Sequence, residues 1–198
     1  MAARDQGSAG PAAWARAVLM YPGLYGVIVY RIAHALLTTN RLPGACRNLL
    51  YLPLLLVQRV TVLLTMVEIS NHAHIGPGLF VNHAQGTIIG SVEAGANLTV
   101  SHGVTVGEGT DGVGASRSPR LGDRVWLGVG VVVAGDIAIG DDAMIGANAV
   151  VLADVPARAV AVGVPAGVVS GRGSFANVLY RGMDTDPARA ASLAQVAD

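Results

Sequence analysis

A single cysteine, Cys46, stands among 198 residues, so no internal disulfide can brace this chain. Aromatic side chains supply only 5% of it, which excludes a core filled by large rings. Neither sign of charge is in excess: thirteen Lys and Arg balance thirteen Asp and Glu. Without a basic surface to gather phosphates, nucleic acid is not an expected partner. The opening MAARDQGSAGPAA lacks the apolar stretch of a secretory signal, and the cytoplasm is the expected compartment. An unbroken apolar run of spanning length is also missing. Leu49 to Met66 approaches the roughly 20 residues that a span needs, but Pro53, Gln58 and Arg59 interrupt it. A helix that is buried, or that touches a membrane peripherally, is expected there instead of a span.

What the chain has in quantity is glycine, 26 residues, within a composition that is 52% hydrophobic. Small aliphatics on a turn-rich scaffold follow. Their order is periodic: Leu121, Leu127, Val133, Ile139, Ile145 and Val151 recur at steps of six, trailed by Gly122, Gly128, Ala134, Gly140 and Gly146. Upstream, Ile75 and Val81 keep the same step, as do Ala94, Val100 and Val106, with an irregular stretch at 86–90 between the two runs. No helix has that period. It is the period of a β-solenoid, each hexad giving one short strand and its turn, three hexads closing a coil. The inward aliphatics stack from coil to coil and form the core, and the small residues after them permit tight corners.

Three features flank or interrupt this repeat. The stretch 107–120, GEGTDGVGASRSPR, has no apolar period and reads as a loop thrown out of the solenoid. Before the repeat, Trp14 to Leu37 and Leu49 to Val67 carry helical spacing, and these helices are expected to cap the open end of the stack. The organisation expected is therefore a helical region over 1–67, a β-helix over 68–169 and a tail over 170–198 that is mobile or draped on a neighbour beyond Met183.

In order along the chain, YPGLYGVIVYRIAHAL, EISNHAHIGPGLFVNHAQGTIIG, GVTVG, the inserted loop, LGD and AVGVPA resemble the serine O-acetyltransferase family of left-handed β-helix enzymes. The resemblance runs from Trp14 to Val169. Within it, the apolar second helix and SHGVTVG look closer to the colanic-acid type of exopolysaccharide O-acetyltransferase. Either branch implies a mainly β chain forming a left-handed parallel β-helix, a homotrimer, acetyl-CoA as acyl donor in the groove between adjacent solenoids, and the protruding loop closing over it.

The resemblance places His83 on the family's catalytic histidine and Glu68 on its orienting carboxylate. An alcohol attacks a thioester only when a base takes its proton, and imidazole suits that near neutral pH. Asn82 stands where serine acetyltransferases have Asp, and Ser118 stands where RSP replaces Arg-His-Pro; an acidic residue expected near Ser8 is missing, and Arg117 alone remains of that set. Those departures favour a sugar or other non-serine hydroxyl as acceptor, with serine O-acetylation as the alternative. His102, one coil and one residue after His83, is a candidate for the acceptor or the thioester oxygen, or a structural residue. Backbone N–H groups at Gly103 and Gly107 are candidates for stabilising charge on that oxygen. By motif match Gly130 and Ala147 lie along the pantetheine arm, and Arg172 is a candidate for coenzyme phosphates. Read structurally, His83 is a polar corner residue, Glu68 a surface carboxylate and the glycines ordinary turns, and the chain a non-catalytic scaffold. His72 and His74 alternate as zinc ligands would, but a third histidine downstream of His102 is lacking, so no metal is expected. His34 reads as a capping or packing residue.

Overall fold

A computed structural model describes residue 10 and residues 20–109 and 118–194. Among the described residues fifteen short strands follow two helices, and each of the first ten pairs with the one three places later, so the chain winds a three-sided coil. The first side is β1 (Val67–Ile69), β4 (Thr87–Ile89), β7 (Thr105–Gly107), β10 (Val132–Ala134) and β13 (Val150–Val151). The second is β2 (His74–Ile75), β5 (Glu93–Ala94), β8 (Arg120–Leu121) and β11 (Ala138–Ile139). The third is β3 (Phe80–Val81), β6 (Thr99–Val100), β9 (Trp126–Leu127), β12 (Met144–Ile145) and β14 (Val160–Val162), ended by an antiparallel β15 (Gly167–Ser170).

The hexad aliphatics from Leu121 to Val151 are all buried, as expected of an inward stack. A second inward ladder runs beside them: Val125, Val131, Ile137, Ala143, Ala149 and Val155 are buried as well, again at steps of six. The hexad reading had missed this ladder because its members are smaller and partly alanine. Burying each Val or Ile contributes roughly 1.5 to 3 kcal/mol, so two ladders stabilise each coil.

Small residues behind the first ladder are required by the closeness of the coils. A Cβ on Gly122 would stand 2.7 Å from the Asp141 backbone nitrogen, and one on Gly128 2.9 Å from that of Ala147. Positive φ falls elsewhere, on Gly103 and Gly130 and on Asn97, Arg124, Asp142, Asn148 and Arg158. Side-chain carboxylates reinforce the stack: Asp123 accepts from Ala96 N–H at 2.7 Å, and Asp141 from Asp123 N–H at 2.8 Å.

The first coil is closed by α1 (Pro22–Thr38). Gly23 and Gly26 let this helix lie directly on Val81 and Val67, where any Cβ would come within 3 Å of their side chains. Buried Tyr30 donates from its hydroxyl to Ala73 O at 2.7 Å, and Arg31 donates to the carbonyls of Ile75 and Gly76. The second helix, α2 (Gly44–Thr65), begins five residues before the expected Leu49 and keeps Pro53 inside it. It packs on α1 by one edge only, and Leu49, Leu52, Leu56, Leu63 and Leu64 remain 69–81% exposed. Burial of this helix is therefore not what the structure has: it reaches the first coil through polar contacts such as Gln58 to Ile69 O and Arg59 to Glu68, and leaves these leucines uncovered. By length and composition α2 suffices to cross a membrane.

At the other end the chain folds back. Phe175 and Val178 are buried, and Ser174 Oγ donates to Arg124 O at 2.5 Å. Arg124 holds Asp142 through two nitrogens and lies over the Tyr180 ring, 5.5 Å from its centre. Beyond a short turn at Met183–Thr185, helix α3 (Pro187–Ala194) ends the described chain.

Candidate active site

His83 lies where the third side hands the chain to the first. From Val81 to Ile88 the chain takes seven steps, whereas the coil stacked on it takes five from Val100 to Thr105. The two additional residues push the corner outward, and His83 is exposed with φ of 54°. Left-handed residues also mark ordinary corners of this solenoid, so the extra length, and not the φ, distinguishes the His83 corner.

Along the same edge the next coils present His102 and Gly103, then Val129 and Gly130, then Ala147 and Asn148. Hydrogen bonds tie them in a column: Gly103 N–H to Gln85 O at 2.9 Å, Gly130 N–H to His102 O at 3.0 Å, and Asn148 N–H to Val129 O at 2.7 Å. The His83 and His102 rings stand nearly perpendicular, their centres 6.1 Å apart. Below them Gly103 and Gly130 are stacked so that a Cβ on Gly103 would lie 3.6 Å from Gly130, and a Cβ on Gly130 would strike the Asn148 amide oxygen. Two stacked glycines thus lead from the two histidines toward Asn148 and exposed Ala147.

The structure brings together His83, Asn82, His102, Gly103, Gly130 and Ala147 and separates the other candidates. Asn82 is half-buried, with its N–H donating to Val100 O at 2.8 Å. Glu68, in the middle of β1 beside Ile88, pairs with Arg59 of α2 at 3.4 Å, and no hydrogen bond joins it to His83 among the described residues. Its expected partnership with His83 is not made here; the carboxylate is paired with the guanidinium of α2 instead. Gly107 ends β7, four residues past Gly103, about 13 Å away at roughly 3.3 Å per residue. Gly103 N–H is committed to Gln85 O. Neither amide is therefore an open donor beside His83, contrary to expectation. Ser118 belongs to the corner between the first and second sides, where its hydroxyl donates to Glu108 at 3.5 Å. Arg117 lies outside the described residues. Arg172 is exposed, and its carbonyl accepts from Ser192 Oγ at 2.6 Å.

Two members of the edge had escaped sequence reasoning. Gln85 supplies the carbonyl that holds Gly103, and Asn148 packs its amide against Gly130. Asn148 carried a signal: Asn is the side chain most at home at a left-handed corner, and it recurs 18 residues after Gly130. Away from this edge His74 meets His34 at right angles, ring centres 5.1 Å apart, and His34 Nδ1 lies 3.1 Å from Asn71 O. Among the described residues no three His, Cys, Asp or Glu side chains converge as a metal site would require.

The profile of the family "Bacterial transferase hexapeptide (six repeats)" matches residues 118–153. A serine acetyltransferase of Helicobacter pylori strain J99 is 40% identical over 154 residues, 77% of this chain and 84% of that relative. This chain belongs to the serine acetyltransferase family. Soybean serine acetyltransferase solved in complex with serine is 36% identical with a TM-score of 0.68, covering 85% of this chain and 65% of that one. The Brucella abortus enzyme solved in complex with coenzyme A is 28% identical with a TM-score of 0.68, covering 85% and 64%. This chain thus spans slightly less than two thirds of those two solved chains. The solenoid is the left-handed parallel β-helix of hexapeptide transferases.

These likenesses correct the expected acceptor. The colanic-acid resemblance rested on the apolar second helix and SHGVTVG, and the preference for a sugar hydroxyl on Asn82, Ser118 and the missing acid, whereas identity across the whole fold lies with serine acetyltransferases. The local substitutions were over-weighted, since an Asn carbonyl and a Ser hydroxyl still accept hydrogen bonds where Asp and His would. Contact with a membrane likewise gains no support from these relatives.

Proposed function

We propose that this protein is a serine O-acetyltransferase that uses acetyl-CoA as donor and His83 as general base. His83 takes the proton from the serine hydroxyl as its oxygen attacks the thioester carbonyl carbon. The tetrahedral intermediate then expels the coenzyme sulfur, which leaves as the thiol with the proton returned by His83, and O-acetylserine is formed. The observation that carries this reading is the lengthened corner, which presents an exposed imidazole at the head of a strip of glycines. Such a strip suits the pantetheine arm, since its backbone can be approached closely.

A homotrimer completes the reading. The corner that bears Ser118 differs from the corner that bears His83, so the loop of one solenoid meets the histidines of another only across an interface. Arg117 and Ser118, together with Asn82, are the groups proposed to hold the serine carboxylate and amine. Glu68, bound only by an exposed pair to Arg59, is the carboxylate proposed to turn to His83 when substrate is present. The cytoplasm, where acetyl-CoA and serine are both at hand, is the compartment that this reading requires.

Release of thiol from acetyl-CoA tests it. Serine should be turned over with kcat/KM above about 10⁴ M⁻¹s⁻¹, and His83→Ala should lower kcat by about 10²- to 10⁴-fold in a protein that stays folded. Glu68→Gln should lower kcat without changing the far-ultraviolet spectrum. Absence of serine turnover, with acetyl-CoA bound, would overturn the proposal.

A further inference from the structure

A helix on the surface of a soluble protein turns an apolar stripe to the core and a polar face to water. Helix α2 does the reverse. Among the positions it turns to the protein are Arg47, Tyr51, Gln58, Thr61 and Thr65, all polar. Gln58 donates from its side-chain amide to Ile69 O at 3.4 Å, and the Asn71 amide donates to Tyr51 Oη at 2.6 Å. The opposite face is hydrocarbon. At 3.6 residues per turn the arc from Leu52 round to Leu50 spans roughly 160° and holds no side-chain nitrogen or oxygen. Exposed Leu49, Leu52, Leu56 and Leu63 lie within it.

Charge is divided along the chain in the same sense. Residues 1–67 contain six of the thirteen basic residues but one of the thirteen acidic ones, Asp5, and the part from Glu68 onward cancels this excess. Between Asp5 and Glu68 there is no acid at all. Arg41 is exposed just ahead of α2, and Arg59 borders the apolar arc with its side chain 71% exposed.

The width of the arc and the sign of the charge both select lipid. A second copy of α2 would cover a seam narrower than roughly 100°, whereas acyl chains cover an arc of any width. Independently of the acetyl acceptor, we propose that α2 is a peripheral anchor lying in the plane of an anionic bilayer. Its leucine face enters the acyl boundary by roughly 5 to 10 Å, and Arg41 and Arg59 stand among the headgroup phosphates. The helix does not cross, because crossing would strip Gln58 and Tyr51 of their partners on the first coil or draw that coil into hydrocarbon. The solenoid stays in water.

Flotation of the full chain with vesicles tests the anchor. Vesicles of equal parts phosphatidylcholine and phosphatidylglycerol should carry the protein, and pure phosphatidylcholine should bind it at least about tenfold more weakly. Arg41→Gln should weaken binding to the anionic vesicles about fivefold. Leu52→Ser combined with Leu56→Ser should weaken it about 10²-fold or more, with size and thermal transition as in wild type, since both leucines are exposed. The single thiol, Cys46, is exposed and falls on the arc, so an environment-sensitive fluorophore attached there should shift its emission to the blue on the anionic vesicles. No flotation with anionic vesicles, equal binding to both lipids, or undiminished flotation of the double-serine variant would each overturn the proposal. A wild-type assembly that the double substitution splits, with neither form binding vesicles, would overturn it in favour of a second copy.

Discussion

The two halves of the solenoid are built to different tolerances. In the coils between Arg120 and Val151, paired residues lie 18 apart on all three sides, as in Arg120 with Ala138, Trp126 with Met144 and Val132 with Val150. Before them, Val67 pairs with Thr87, His74 with Glu93, Ile88 with Thr105 and Thr99 with Trp126, and no separation among these is 18. The regular half is where the carboxylate staples and the C-terminal strap cluster. The irregular half bears His83, His102 and the departure of the loop. Regular coils give the stack its rigidity, and departures from the period expose side chains that perfect coils would keep within the wall.

That division can be broken most severely in the regular half. Ile139 is sandwiched between Leu121 and Val155, and Ile139→Asp should cost more than about 5 kcal/mol by burying an unpaired charge, read as loss of soluble folded protein or of the thermal transition. A milder cut is Arg124→Ala. Asp142, only 8% exposed, would lose its partner, and unfolding in urea should show a loss of about 2 to 3 kcal/mol. In the irregular half the corner can be changed without touching the core. His83→Gly should be about 1 kcal/mol more stable than His83→Ala, since glycine accepts positive φ freely, while both variants should lose about 10²- to 10⁴-fold in kcat. The smallest effect concerns the C-terminal strap. Burial, then the hydrogen bond to Asp186, pushes the Tyr180 hydroxyl up to about 12 from 10.0. Its folded value being raised, the stability it lends is complete below pH 10 and is lost as pH rises from 10 to about 12, and limited proteolysis of the C-terminal segment should accelerate in that window.

The regular half was the legible one. Leu121 to Val151 announce the fold by period alone, since six-residue spacing can satisfy no helix. The second ladder was less visible because Ala143 and Ala149 look like turn residues until the backbone turns them inward. His83 was legible only through family motifs, as its exposure depends on two surplus residues whose effect is a matter of loop geometry. Glu68 and Gly103 were placed by motif without regard to competitors, and Arg59 and Gln85 O are those competitors. The acceptor was misread because single substitutions were weighed above agreement over the whole chain.

The coil's constant width has a consequence for how such a chain can change in length. Remove the six residues 122–127, and every later aliphatic still points inward, so a hydrophobicity profile records no damage. Gly130 and Asn148, however, advance by a third of a turn onto a different corner, and the strip beneath His83 is severed. Folding obeys a frame of six and the edge a frame of eighteen, so only whole-turn insertions or deletions leave both intact.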